Sequence, residues 1–173
     1  MEPKGQVYFT PPADFKSGVD IATCYMRFGN ELLFLKRQPH KTQGSMWGIP
    51  GGKVDKEMCP LKGMLREVKE ETQIDLVIDQ VVEFGTVYCR YPHCDFTYHM
   101  FGFLFTEEKP EVLLNFDEHS EYTWRSFKEA FSYPVILFED SCTFLVWNDP
   151  FFDGCEKPEV QKSSKIVASC LLT

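Results

Sequence analysis

The chain has 173 residues, and with 43% of them hydrophobic it can fill one domain with a substantial core. Its formal charge of -8 argues against gripping polymeric nucleic acid through a basic face, because that mode relies on Lys and Arg neutralising phosphates. Seven cysteines without a Cys-x-x-Cys pair read as reduced thiols of a cytoplasmic protein, and neither a charged-then-apolar leader nor an apolar run of about 18 residues marks export or a membrane span.

Residues 1–17, with Pro3, Pro11 and Pro12, read as an irregular lead-in. Val19 to Arg27 and Leu32 to Arg37 are rich in strand formers and flank Phe-Gly-Asn-Glu, so they read as a hairpin that starts the sheet. Residues 38–50 then form a polar loop, ending in Trp-Gly-Ile-Pro, that suits the rim of a pocket. Lys36, Arg37, His40, Lys41 and Lys53 surround it with potential positive groups. Arg37 and Lys53 are the pair best placed to hold a phosphate, since one precedes the loop and the other follows Gly51-Gly52.

Beyond the glycines, Leu61, Met64, Leu65, Val68 and Thr72 recur at three- and four-residue spacing, which predicts a helix with one buried stripe. Pro60 suits its first turn, where a missing N–H is not needed, whereas Cys59 is a poor N-cap. Glu67, Glu70 and Glu71 fall on the other side. Glu67 neighbours both of the others, and each like-charge pair costs on the order of 0.2–0.5 kcal/mol. The bland reading is a solvated acidic face. The alternative is a divalent cation, because a hard ion such as Mg²⁺ takes one or two carboxylates plus phosphate oxygens, and glycine lets the backbone approach closely. Arg66 is placed to tether Glu70 or to orient Glu67.

Val81 to Tyr91 and Phe96 to Thr106 read as long strands, the second with large groups on both faces and therefore central. His99 within it reads as a core histidine. Cys89, His93, Cys94 and His99 lie close in sequence, but their spacing fits none of the usual zinc patterns. Asn115 to Ser120 is a short acidic loop and Glu121 to Arg125 a strand. Ser126-x-x-Glu129 reads as a capping box opening a helix, which Pro134 interrupts and Val135 to Trp147 resumes. One folded domain is expected over 18–147, followed by a C-terminal extension, 148–173. The sequence leaves the oligomeric state open, a homodimer included.

Residues 52–74 resemble the Nudix box, a glycine followed at fixed spacing by Arg-Glu-aliphatic-x-Glu-Glu and a closing aliphatic. Gly52, Arg66, Glu67, Val68, Glu70, Glu71 and Ile74 stand in register. Met58 replaces the first Glu of the pattern and Gln73 its Gly, so Gln73 either takes the left-handed conformation or lets the helix end differently. Glu57, one residue before Met58, is a candidate substitute. The resemblance implies an α/β fold, a Nudix-type α/β/α sandwich with a mixed β-sheet, which agrees with strands and helices interleaved along the chain. It implies a metal site of Gly51, Glu67, Glu70 and Glu71 for Mg²⁺, with Mn²⁺ as a substitute. The implied reaction is hydrolysis of a diphosphate linkage in a small nucleotide, with Glu67 assisting proton transfer, Arg66 holding the carboxylates and Glu118 as the second candidate base. Trp47, just ahead of the glycines, is the candidate platform for a nucleobase, with core packing as its competing role. A Nudix-fold module that binds or senses a nucleotide without cleaving it is the alternative, and Met58 is the residue that encourages it.

Overall fold

A computed structural model of the chain describes residues 5–91, 93–136 and 139–157. Its strands are β1 (Gln6–Tyr8), β2 (Ser17–Phe28), β3 (Glu31–Arg37), β4 (Trp47–Gly48), β5 (Gly51–Val54), β6 (Val82–Arg90), β7 (Asp95–Phe105) and β8 (His119–Ser126), and its helices are α1 (Pro60–Thr72) and α2 (Glu139–Val146). They form one mixed sheet in the order β1-β6-β7-β2-β3-β4, with β5 also paired to β2 and β8 to β3. Central β2 runs parallel to β7, from Ser17 opposite Asp95 to Phe28 opposite Phe105. It runs antiparallel to β3 and β5.

Strand alternation sorts the apolar residues into two cores, one on each face of the sheet. Ala22, Cys24 and Met26 of β2 meet Leu33 and Leu35 of β3, Phe101 and Phe103 of β7, and Met64 and Val68 of α1. Tyr25, Phe34, Phe96, Tyr98 and Met100 point the other way, towards Cys142 and Val146 of α2. Each face is therefore closed by one helix, which is the α/β/α sandwich expected of the sequence. Cys24 is wholly enclosed, and burial alone pushes its thiol far above the ordinary range. No helix among the described residues is long and apolar enough to cross a membrane.

Several elements depart from the sequence expectations. Residues 6–8, assigned to the irregular lead-in, form an edge strand on β6, because Val7 opposite Cys89 is buried. The capping box at Ser126 does not form. Its hydroxyl lies 3.4 Å from the Glu129 carboxylate and makes no cap to the backbone. Only a single 3₁₀ turn, Phe127–Glu129, follows, since fully buried Phe127, Ala130 and Phe131 pull this segment into the core against its local preference. Val135 is not helical either, forming an isolated bridge with Trp47. His99 is half-buried, with Nδ1 3.0 Å from the Thr86 hydroxyl.

The expected domain end at residue 147 also falls short of the packed structure. Phe151 and Phe152 form a 3₁₀ turn that is buried in the α2-side core. Phe152 stacks on Trp47's distant namesake Trp147, with ring centroids 5.0 Å apart, and meets Tyr25, Phe84 and Phe127 edge-on or stacked. Gly102 makes room for this turn, because a Cβ there would collide with Phe84 and press on Phe151. Aromatic truncations in such a core cost about 3–5 kcal/mol, so Phe152→Ala should lower the unfolding free energy in urea by about that amount. A loss below about 1 kcal/mol would show that the segment is dispensable.

Where β6 meets β7, Arg90 Nε and Nη2 lie 2.8 and 2.9 Å from the two oxygens of Asp95, and the Lys16 amide donates to one of them. The Arg90 hydrogen bonds, with help from Lys16, hold the Asp95 carboxyl down to about 2. A depressed carboxyl contributes stability above its unfolded value of about 3.9 and loses it as pH falls through the folded one. Asp95→Asn should therefore flatten the decline of the melting midpoint between about pH 4 and about pH 2. An unchanged acid limb would remove this pair from the balance.

Candidate active site

Helix α1 starts and ends as its sequence dictates. Pro60 occupies the first turn, Cys59 contributes no side-chain cap, and Gln73 takes the left-handed conformation at φ 60° with its amide bonded to the Lys69 carbonyl. Gly63 brings the helix close to β5, where a Cβ would press on Val54. The buried side carries Met64 and Val68, and the acidic side faces the Gly51-Gly52 backbone of β5.

The two glycines serve different ends there. Gly51 has φ 144°, and a Cβ on it would run into the Ala22 carbonyl and Thr23 of the neighbouring strand. At Gly52 a Cβ would occupy the place of the Glu67 carboxylate. Two adjacent positions without side chains therefore let β5 press against β2 on one side and receive a helix carboxylate on the other.

The three glutamates differ in surroundings. Glu67 is largely withdrawn from solvent, with 17% of its side chain exposed, and pairs with Arg66 Nη2 at 2.7 Å. Desolvation raises its pKa, Arg66 opposes the rise, and the charges of Glu71 and Glu70 add to it. Glu70 is exposed and held by Arg66 Nη1 at 3.1 Å. Arg66 also donates to the Lys53 carbonyl at 3.1 Å, so it both tethers Glu70 and orients Glu67 while tying the helix to β5. Glu71 is buried. Its Oε2 accepts the Gly51 amide at 2.9 Å, and its Oε1 lies 2.7 Å from His119 Nε2.

Among the described residues, no three His, Cys, Asp or Glu side chains are gathered as a ready-made metal cage. Cys89 is buried and Cys94 exposed, so the clustered cysteines and histidines near residue 94 form no such cage either. The glutamates nevertheless fit a hard divalent cation by donor type, since all are carboxylate oxygens. They also fit by crowding, because Glu67 lies in a recess against glycine backbone, opposed by two like charges and balanced by Arg66. Glu57, the candidate substitute for the carboxylate missing at Met58, is not hydrogen-bonded to these glutamates. It is exposed, at φ 70°, and makes no hydrogen bond among the described residues.

The positive groups are distributed unevenly. Lys36 pairs with Glu121 at 2.7 Å and Lys41 with Glu118 at 2.5 Å, so both are engaged. Arg37 donates from Nε to the Thr42 carbonyl at 2.8 Å. Lys53 is exposed and has no ion-pair partner among the described residues. The Lys41 hydrogen bond, ahead of the charges of Arg37 and His119, lowers the Glu118 carboxyl below its usual range. Glu118 is therefore a weaker base than an unpaired glutamate.

Trp47 is not an open platform. It belongs to the α2-side core at 9% exposure, and the Arg125 guanidinium lies 4.2 Å from its ring centroid and 3.8 Å from that of Tyr133. With one face covered by a buried arginine, the expected nucleobase role gives way to core packing. His119 is the residue that the sequence reading missed. It lies in the segment expected as the short acidic loop Asn115 to Ser120, and the pairing with Glu71 spans 48 positions, beyond the reach of local spacing.

Comparison with known proteins agrees with this geometry. The NUDIX domain family model matches residues 16–141. The 8-oxo-dGTP diphosphatase of Proteus vulgaris is 35% identical over 81 residues, covering 46% of this chain and 69% of that protein. Nudix hydrolase 2 of Arabidopsis thaliana is 33% identical over 76 residues, 43% of this chain but 27% of its own length, so the chain matches about a quarter of the plant protein. The crystal structure of a bifunctional NMN adenylyltransferase/ADP ribose pyrophosphatase from Francisella tularensis, complexed with AMP and Mn ion, superposes with a TM-score of 0.65 at 18% identity, covering 79% of this chain and 43% of that one. That likeness speaks to the fold. The family match runs from before β2 into α2 and takes in the glycine loop and the whole glutamate helix; the chain belongs to the Nudix family.

Proposed function

We propose that this chain hydrolyses the diphosphate linkage of a nucleoside triphosphate or a related small nucleotide, using Mg²⁺ or Mn²⁺ held by Glu67, Glu70 and Glu71 with the Gly51 backbone. The observation that carries the proposal is the seating of Glu67 against Gly52, with Glu70 and Glu71 on the same helix and Arg66 between two of them. The bound ion would neutralise charge on the diphosphate and make its water more acidic.

Glu67 is the group best suited to accept the proton of the attacking water, because desolvation raises its proton affinity while Arg66 keeps it oriented. Glu118 is the second base, weakened by Lys41. Exposed Lys53, on the strand that carries both glycines, and Arg37 at the start of the loop are the groups offered to phosphate oxygens. The Proteus relative, a diphosphatase by name, supports a triphosphate among the substrates to be tried first. Met58, half-buried where the family pattern has a carboxylate, leaves a non-cleaving nucleotide-binding module as the competing reading.

A panel of nucleoside triphosphates, oxidised triphosphates and nucleoside diphosphate conjugates, assayed with Mg²⁺ or Mn²⁺ by chromatography of the products, separates the two readings. Turnover that Glu67→Gln lowers roughly 10²–10⁴-fold supports proton transfer at Glu67. Binding without turnover across the panel, or full activity in excess EDTA, overturns the hydrolase.

The crowding of carboxylates gives a second prediction. Without metal, Glu67→Gln relieves a desolvated charge and two like-charge contacts, the latter worth together about 0.4–1 kcal/mol, against the loss of the Arg66 pair, so its melting point should exceed that of the unsubstituted protein by at most about 1–4 °C. Excess Mn²⁺ should reverse the order, because the variant has lost a ligand. Identical Mn²⁺ shifts in the two proteins would mean that Glu67 is not part of a metal site.

A further inference from the structure

We propose that His119 is a positioning residue for Glu71, fixing the plane of that carboxylate so that it is presented to the cation. The inference rests on the metal-site reading above. It starts from burial: 5% of the His119 side chain and 9% of the Glu71 side chain are exposed. Inside the protein a carboxylate must have its oxygens satisfied, and each missing donor is costly. Glu71 has one protein N–H for each oxygen, the Gly51 amide on Oε2 and His119 Nε2 on Oε1. Two donors on opposite oxygens fix the rotation of the carboxylate about its last bond. Each oxygen keeps a further lone pair for an ion.

The ring is as dependent on Glu71 as Glu71 is on the ring. Among the described residues His119 Nδ1 is buried without a hydrogen-bond partner, so Glu71 is the one hydrogen-bond anchor of the imidazole found there. Nε2 faces a carboxylate and therefore carries the proton and donates. The segment bearing His119 is strapped to the last turn of α1 by backbone bonds, from the Leu113 amide to the Thr72 carbonyl and from the Asn115 amide to the Glu71 carbonyl, both 3.0 Å. The His119 amide then closes onto the Asn115 carbonyl at 3.0 Å. One strap thus sets the position of the donor relative to the helix that carries the acceptor. Outer hydrogen bonds of this kind orient metal ligands, and losing one typically costs 10–100-fold in metal affinity.

The test titrates the full chain with Mn²⁺ alone and follows the resonance of the free ion, with no substrate present. His119→Leu keeps volume and removes the donor; it should lower Mn²⁺ affinity by about 10–100-fold. His119→Gln places an amide N–H near the Nε2 position and should recover most of that loss, whereas His119→Asn is too short to reach Oε1 and should not. In a Glu71→Gln background, His119→Leu should cause no further loss, because the two residues act as one unit. If His119→Leu fails to fold in metal-free melts, the Gln and Asn variants carry the comparison, and equal affinities for these two overturn the proposal. An unaltered affinity in a folded His119→Leu protein, or the same fractional loss in the Glu71→Gln background, also overturns it. Failure of the unsubstituted protein to bind Mn²⁺ would overturn the metal-site reading itself, and this inference with it.

Discussion

The arrangement depends on a steric constraint at residues 51 and 52: a side chain at 51 would strike backbone, and one at 52 would take the place of the Glu67 carboxylate. Gly51 lies so close to β2 that any Cβ would enter the Ala22 backbone, and Gly52 lies so close to α1 that any Cβ would displace Glu67. The same dipeptide therefore joins the central strand to the glutamate helix. The acidic side of α1 consequently faces a stretch of backbone, whose Gly51 amide and Lys53 carbonyl engage Glu71 and Arg66. The electrostatics of the three glutamates follow from that close approach. Had β5 carried side chains, α1 would stand further out, and its carboxylates would be an ordinary solvated face.

What the sequence made legible was local. The apolar stripe of α1, the role of Pro60 and the strand-forming content of β2, β3 and β7 follow from spacing and backbone preference, and the structure reproduces them; Gln73, open between two helix endings, takes the left-handed one. Partnerships between distant segments were not legible. His119 meets Glu71 only because a loop is strapped beneath the helix end, and nothing in the residues around position 119 encodes that strap. Trp47 was ambiguous between platform and core, and its ring is covered by Arg125, far along the chain. The apparent capping box at Ser126 shows local preference losing to burial of Phe127 and Phe131, and the stretch expected as a C-terminal extension from residue 148 begins with two core phenylalanines.

Charge around the site is arranged in pairs that hold opposite sides in check. Arg66 is shared between Glu67 and Glu70, and Lys41 neutralises Glu118 on the facing loop. A phosphate-bearing ligand would therefore compete for groups that already have partners, and a cation would displace Arg66 from its carboxylates in part. Arg125 is different. Its guanidinium is packed between aromatic rings, and burial lowers its pKa, so it belongs to the opposite face of the sheet and to the packing there.

The parallel pairing of β2 with β7 carries a consequence for the order of assembly. β2 finds β3 and β5 within a few dozen residues, but its other edge stays open until a strand some 75 positions further along has been docked beside it. Closing so long a loop costs chain entropy before its contacts repay it, and parallel pairings of this kind are slow to form. The glycine dipeptide and the glutamate helix lie inside that loop. During synthesis the acidic cluster is therefore made early and stays on an unfinished sheet until β7 and then the segment carrying His119 have docked.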